Sequence, residues 1–313
     1  MPYRPSPRQL EYFIAVAETG HFGDAAARCN VSQPTLSAQL KLMEDSLGVV
    51  LIDRGGGVVK PTPVGENLLG LARKTLETLD EMVLQAGARI GQMGGLVRLG
   101  VAPTFGPYFM PYLLARLYRE WPGLELYIRE ERPDILQSML EEGALDCILT
   151  PARLVPEKME AVVFCREEVL LGVCAHEALA GKESLELADL KGQTLLTMGP
   201  GYKLYEEVIA LARATGGQPR EDYQGTSLDA LRQMISIGMG ISLFPACYIH
   251  SEFPKEENVS LHSIANFPMR RELTIAWRRG SVRAHHYAKF AEQARQVASE
   301  LKIPGLEAID AKP

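Results

Sequence analysis

Short polar side chains recur along residues 32–41, interleaved with apolar side chains at helical spacing. The polar set is Ser32, Gln33, Thr35, Ser37, Gln39 and Lys41. Leu36, Leu40 and Met43 form an apolar stripe, which predicts one amphipathic helix over residues 32–46. Donors and acceptors of this length can reach base edges and phosphates when a helix N-terminus enters a major groove. The pattern therefore favours DNA reading, although a helical hairpin with a merely solvated polar face has the same spacing.

The boundaries of this helix are typical of the second helix of a helix-turn-helix. Ser32 offers a hydroxyl N-cap, and Pro34 lies in the first turn, where its missing N–H costs nothing. A shorter helix beginning at Phe22 precedes it, and residues 29–31 interrupt the helical pattern. The apolar spacing over Pro7–Thr19 predicts a first helix that packs under this pair.

Two short strands around a glycine turn, residues 49–54 and 58–60, follow the second helix and predict a wing. Cations beside the duplex backbone would contact phosphates, which fix register without reading sequence. The cations expected on that surface are Arg8, Lys41, Arg54 and Lys60. Residues 1–62 nevertheless contain as many acidic as basic residues, so the charge balance by itself gives no support for nucleic-acid binding.

One long helix is predicted from Pro63 to Ile90, with a length of roughly 40 Å. Apolar or small residues recur along it at intervals of three and four, at Leu68, Ala72, Leu76, Leu79, Val83, Ala86 and Ile90. This spacing resembles a coiled-coil seam and favours pairing with a second copy of the chain. The alternative is a helix that packs on its own domain. Glycines at 91, 94 and 95 predict a hinge after it.

From Leu96 onward strands and helices alternate, which is typical of an α/β domain with a mostly parallel sheet and two lobes. The 313 residues suit two or three domains. No apolar run approaches the roughly 18 residues of a membrane helix and no signal peptide opens the chain, so we expect a cytoplasmic protein. The six histidines and five cysteines show no metal-ligand spacing, so neither an enzyme nor a metal or cofactor site is expected.

In this order, the motif, wing, long helix and α/β domain resemble the LysR-type transcriptional regulators over essentially the whole chain. The matching segments are Arg8–Phe13, Ser32–Ser37, Leu47-Gly48 with Asp53-Arg54, and Pro61–Gly65. In the C-terminal half, Leu145–Cys147, Thr226–Leu228 and Gly238–Ile241 look most like the peroxide-sensing OxyR branch.

The resemblance implies a winged helix-turn-helix over residues 1–62, a dimerising linker helix and hinge over 63–92, and a periplasmic-binding-protein-like effector domain over 93–303. Lobe I would comprise about residues 96–165 and 270–301, lobe II about 166–268, and residues 304–313 would be a tail. The expected partners are double-stranded promoter DNA, a small-molecule effector, further copies in a homodimer and homotetramer, and RNA polymerase. No membrane partner is expected.

One departure concerns the trigger, because the OxyR branch senses peroxide through a reactive cysteine and a second cysteine a few residues later. The resemblance places Lys203 at the reactive position, and no cysteine occurs between Cys174 and Cys247. We therefore expect an effector, and a small anion is favoured by helix N-termini and cations at the predicted cleft. The predicted effector residues are Thr104, Phe105, Arg132, Tyr202, Lys203, Thr226 and Ser227.

Two alternatives to a bound anion stay open. Thr104 and Ser227 could simply cap helices while Arg132 and Lys203 are solvated. A thiol switch could instead use Cys147, Cys165, Cys174 or Cys247, although apolar strand segments commonly hold inert buried thiols.

Overall fold

The structure, a computed structural model, describes residues 3–55, 59–87, 95–151, 157–225 and 227–309. It divides into two compact units, with the chain up to Gly91 forming most of the first. None of the described helices has the length and apolar character needed to cross a membrane.

The first unit consists of four helices and a small strand pair in its described part. These are α1 (Pro7–Thr19), α2 (Phe22–Arg28), α3 (Gln33–Leu47), β1 (Ile52–Asp53), β2 (Lys60–Pro61) and α4 (Pro63–Gly87). A capping box between Ser6 and Gln9 starts α1, and Gly20 at φ 64° ends it. The predicted bounds of α1 are confirmed, and those predicted for α3, residues 32–46, differ by one residue at each end. Residues 56–58, the tip of the predicted wing, lie outside the described residues.

The α4 helix packs partly on its own unit. Ala72 is buried, and Leu68 and Leu76 contact the same hydrophobic cluster as Phe13 and Leu40. The first half of the predicted seam therefore follows the alternative interpretation, packing within the domain. The seam's later residues, from Val83 on, have no described side chains, so pairing with a second copy stays a prediction.

The second unit is an α/β structure. Its strands are β3 (Gly95–Val101), β4 (Leu124–Glu130), β5 (Cys147–Thr150), β6 (Met159–Cys174), β7 (Thr194–Met198), β8 (Gln218–Gly225), β9 (Ser242–Pro245), β10 (Val259–His262), β11 (Met269–Arg278) and β12 (Leu306–Ala308). Its α-helices are α5 (Gly106–Glu120), α6 (Pro133–Glu141), α7 (Lys203–Thr215), α8 (Leu228–Ser236), α9 (Ala246–Glu252) and α10 (Ala284–Leu301).

The main sheet is mixed, so the expectation of a mostly parallel sheet is wrong. It runs β10-β6-β11-β5-β3-β4, and only β3 pairs in parallel there, with β4 and β5. The long strands β6 and β11 pair antiparallel over most of their length, and β9, β10 and β12 add to β6 antiparallel. Because β12 pairs with residues 165–167, part of the predicted tail belongs to the sheet.

The two largest hydrophobic clusters of this unit each consist mainly of residues from one predicted lobe. One contains β3, α5 and α10 residues, and the other contains α7, α8 and the β7 strand. Tyr108 on α5 packs against both clusters. The lobes therefore meet at α5, next to the turn that follows β3.

Candidate nucleic-acid interface and interlobe site

The first turn of α3 is fixed by its own side chains. The Ser32 hydroxyl accepts a hydrogen bond from the Thr35 backbone N–H at 3.3 Å, and the two hydroxyl oxygens lie 2.8 Å apart. Ser32, Gln33, Pro34 and Thr35 are all exposed, while Ser37 is half-buried. The cap therefore presents an ordered, solvent-facing helix N-terminus with its dipole directed outward.

Two predicted DNA-contacting side chains on α3 already have neighbours. Gln39 Oε1 accepts from Gln9 Nε2 at 3.3 Å, which ties α3 to α1. Lys41 Nζ lies 3.5 Å from Asp45 Oδ1, and both side chains are exposed. Exposed ion pairs contribute little, so Lys41 can exchange Asp45 for a phosphate at small cost.

Arg54 is held by residues that the sequence analysis did not single out. Its guanidinium donates to the buried Glu44 carboxylate at 3.0 Å and lies 5.0 Å from the centre of the Phe22 ring. The other Glu44 oxygen accepts from the backbone N–H groups of Leu51 and Ile52 at 2.8 and 3.1 Å. The sequence signal for this contact was the position of Glu44 next to Met43, on the apolar side of α3.

The remaining predicted phosphate contacts are exposed. Arg8 on α1 pairs with Glu11 at 2.8 Å, and Lys60 lies opposite Asp53 in the strand pair. Each of these two cations therefore has an acid on a neighbouring position, in line with the balanced charge that the composition indicates.

A cavity of about 380 Å³ lies between the lobes. Its lining is Pro103, Thr104, Pro107, Tyr108, Met198, Ser227, Leu228, Asp229 and Glu252. Of the predicted effector residues that the structure describes, only Thr104 and Ser227 are in this lining, and its described charged members, Asp229 and Glu252, are both acidic. Burial, with Asp229 and Glu252 nearby, raises the pKa of the Tyr108 hydroxyl.

Arg271 connects the two sides of this region. Its fully buried guanidinium donates to Glu167 Oε1 at 2.6 Å and to the Thr104 hydroxyl and carbonyl oxygens at 2.8 Å each. The second Glu167 oxygen accepts from the Cys247 backbone N–H at 3.1 Å. Both the hydroxyl and the carbonyl oxygen of Thr104 are therefore occupied by hydrogen bonds from Arg271.

The other predicted effector residues have different environments. Phe105 is fully buried and stacks on Phe109 at 4.8 Å, and its side chain is not part of the cavity lining. Tyr202 is also buried. Thr226 lies outside the described residues. Ser227 caps α8, accepting from the backbone N–H of Asp229, as the capping alternative predicted.

Both predicted cations are neutralised by acids. Arg132 donates to Asp134 and to the Pro200 carbonyl oxygen, each at 3.2 Å, and Lys203 donates to Glu206 at 2.7 Å. The Arg132 contact joins the two lobes. Both cations thus have an acid beside them, and neither belongs to the cavity lining.

Glu207, one helical turn after Lys203, was missed by the sequence analysis. Its Oε2 atom is buried and has no hydrogen-bond partner among the described residues. Burial raises the pKa of this carboxyl to about 7, against the opposing effects of Arg271 and Lys203. An acid in the second turn of α7 gave no sequence signal of burial.

None of the five cysteines is in a disulfide, and four of them are buried. Burial raises the pKa of the Cys147, Cys165 and Cys247 thiols, so little reactive thiolate forms at neutral pH. Cys29, in the first unit, is half-exposed, and partial burial also raises its pKa. Within the described residues no group of His, Cys, Asp and Glu side chains could hold a metal ion.

Comparison with known proteins gives matches to both units. Residues 7–66 match the model of the bacterial regulatory helix-turn-helix protein, lysR family, and residues 91–299 match the LysR substrate binding domain. The chain belongs to the LysR family. It is thus a DNA-binding transcription regulator with an effector-binding domain, and its family consists of regulators rather than enzymes.

Among its relatives, this LysR-type regulator is 35% identical over 291 residues to the DNA-binding transcriptional dual regulator OxyR of Escherichia coli K12, covering 92% of this chain and 94% of the relative. It is 32% identical to the hydrogen peroxide-inducible genes activator of Haemophilus influenzae, covering 94% and 97%. A full-length OxyR variant from Pseudomonas aeruginosa superimposes with a TM-score of 0.81 at 28% identity, covering 99% and 100%.

Proposed function

We propose that this LysR-type regulator binds promoter DNA with α3 in the major groove. Gln33, Thr35, Ser37 and Gln39 would lie nearest the bases, while Lys41 and Arg54 contact phosphates. The exposed polar side chains of α3 opposite its buried stripe carry this proposal. Arg8 and Lys60 would add phosphate contacts from the flanking elements.

Assembly into a homodimer and then a homotetramer is part of the proposal, as is contact with RNA polymerase. The exposed side chains of Leu71 and Met82 on α4, at 60% and 64%, support a helix that a second copy covers. Sedimentation of the full chain should give a mass of two or four copies. A monomer at micromolar concentration would contradict this part.

The signal has two candidates, and the names of the relatives favour a redox signal over the anionic effector. Peroxide chemistry at position 203 is excluded for this chain because that residue is Lys203. A redox response would therefore use Cys29 or require an opening that exposes a buried thiol. The second candidate is a small ligand between the lobes, which the cavity beside Thr104 supports.

Gel shifts with genomic fragments test DNA binding, since a regulator should select particular upstream regions. The redox signal is tested by intact-mass analysis after sub-millimolar hydrogen peroxide, with DNA affinity measured on the same samples. Unchanged mass and affinity would exclude a thiol signal. Calorimetry with a panel of organic acids and amines then tests whether the cavity binds a ligand. Ser227→Ala should lower the affinity for any ligand found there.

A further inference from the structure

The outward face of α3 contains a row of methyl groups that the polar set does not include. Thr35, Ala38 and Leu42 are spaced i, i+3 and i+7, so they line one side of the helix. All three are exposed, and Leu42 is 51% exposed despite its apolar side chain. The Thr35 hydroxyl is engaged by Ser32 at 2.8 Å, which leaves its γ-methyl group for a partner.

This row is separate from the helix's core face. Leu36 and Leu40, which are fully buried, and Met43 hold α3 against the rest of its unit. Gln39 on one flank is bound by Gln9, and Lys41 on the other pairs with Asp45. The centre of the outward face therefore offers methyl groups between two polar edges.

The major groove of DNA presents an apolar group that such a row of methyl groups can contact. The thymine C5-methyl is the apolar group that base pairs present in that groove, and Ala or Thr methyl groups are suited to contact it. The row lies on the second helix of the helix-turn-helix that residues 7–66 match, which makes a duplex its occupant. Accordingly, we infer that Thr35, Ala38 and Leu42 read thymine methyl groups, an inference that rests on the proposed docking of α3 in the major groove.

The experiment starts with the full-length protein and a random duplex library, from which bound sequences are selected. Each thymine of the selected site is then replaced singly by deoxyuridine, which removes only the C5-methyl group. For the wild type we expect an affinity loss of about fourfold at one or two positions, the factor for burying one carbon group. Leu42→Ala should bind more weakly and lose the sensitivity at one of these positions.

Two variants serve as controls. Leu42→Met keeps an apolar contact and should keep the deoxyuridine sensitivity. Val282→Ala shortens another exposed apolar side chain, 44% exposed and in the other unit, and should behave as the wild type. Thermal unfolding of Leu42→Ala should be unchanged, since exposed substitutions rarely alter stability.

The possible outcomes distinguish failure of this inference from failure of the proposed DNA binding. Selection that enriches no sequence contradicts the proposed DNA reading itself. A selected site whose affinity is insensitive to deoxyuridine at every thymine overturns the methyl row while DNA reading stands. Reduced transcription with Leu42→Ala, at unchanged DNA affinity and unchanged deoxyuridine sensitivity, would assign the row to a protein partner and also overturn the inference.

Discussion

Arg271 and Glu167 face each other across the β6–β11 ladder, and their ion pair at 2.6 Å is completely buried. The next pair along the same ladder, Glu272 with Arg166 at 2.7 Å, is exposed. Two chemically similar pairs at adjacent register positions thus differ in their environment. The buried pair also holds Thr104, at the start of the turn beside the interlobe cavity.

Glu167→Gln should destabilise the regulatory domain by about 3–5 kcal/mol, because it leaves the Arg271 charge buried without its counter-ion. Glu272→Gln is the matched control and should change stability by at most about 1 kcal/mol, since its pair is solvated. Urea unfolding followed by tryptophan fluorescence measures both, because Trp121 and Trp277 both lie in this domain. Equal losses for the two variants would contradict a special role for the buried pair.

Glu207 should make stability pH-dependent. Its pKa in the folded protein is about 7, above the ordinary carboxyl value of 4.5, so the folded state holds this proton more tightly than the unfolded state. Its contribution is therefore fully present below about pH 4.5 and is lost as the pH rises toward 7. Glu207→Gln should stabilise the domain by at most about 3 kcal/mol at pH 8, and by only about 1 kcal/mol or less near pH 5.

Glu206→Gln is the control for that prediction, because Glu206 is the exposed neighbour paired with Lys203. It should show only a small, nearly pH-independent effect. Thermal unfolding between pH 5 and 8 measures both variants. A Glu207→Gln protein that loses stability in parallel with the wild type over this range would show that the carboxyl is ionised throughout.

Gly201→Ala should weaken the contact between the lobes. Gly201 has φ +94°, and a Cβ atom there would lie 2.7–2.8 Å from the Asp134 carboxylate, beside the Arg132 contact to Pro200. We expect a loss of about 1–3 kcal/mol from backbone strain, with the steric conflict adding to it. Gly123→Ala, where the added atom meets nothing within 4 Å, should be nearly neutral in the same unfolding assay. If both variants have equal stability, the close approach of Gly201 to the Asp134 carboxylate does not require a glycine.

The sequence predicted what depends on local signals. The apolar spacing over Pro7–Thr19 and the Ser32 cap placed α1 and α3 to within one residue, because capping and apolar spacing act within a few positions. The pairing of Arg271 with Glu167 spans 104 residues and has no local signature. The burial of Phe105 likewise depends on a distant residue, because the Phe164 ring lies against it with centroids 6.2 Å apart.

The two predicted cations were interpreted without regard to their acidic neighbours. Arg132 and Lys203 lie at the predicted turns, but their charge is offset by Asp134 and Glu206, two and three residues further along the chain. Charge counted by residue type does not show which cations are paired. Site electrostatics therefore required side-chain geometry, whereas the helix-turn-helix did not.

Lys41→Ala and Gln33→Ala should separate phosphate contact from base reading. Without the Lys41 charge, one fewer counterion is released from the DNA on binding. The affinity for all DNA sequences should therefore fall by the same factor, and the salt slope of binding should fall by about one. Gln33 lies in the exposed first turn of α3, and its truncation should cost about 1–3 kcal/mol at a single base pair. Asp45→Ala, which frees Lys41 from its exposed partner, should strengthen binding modestly at low salt. Fluorescence anisotropy at several salt concentrations measures all three variants on the selected site and its single-base changes. A uniform loss for Gln33→Ala with a base-specific loss for Lys41→Ala would mean that the opposite edge of α3 faces the bases.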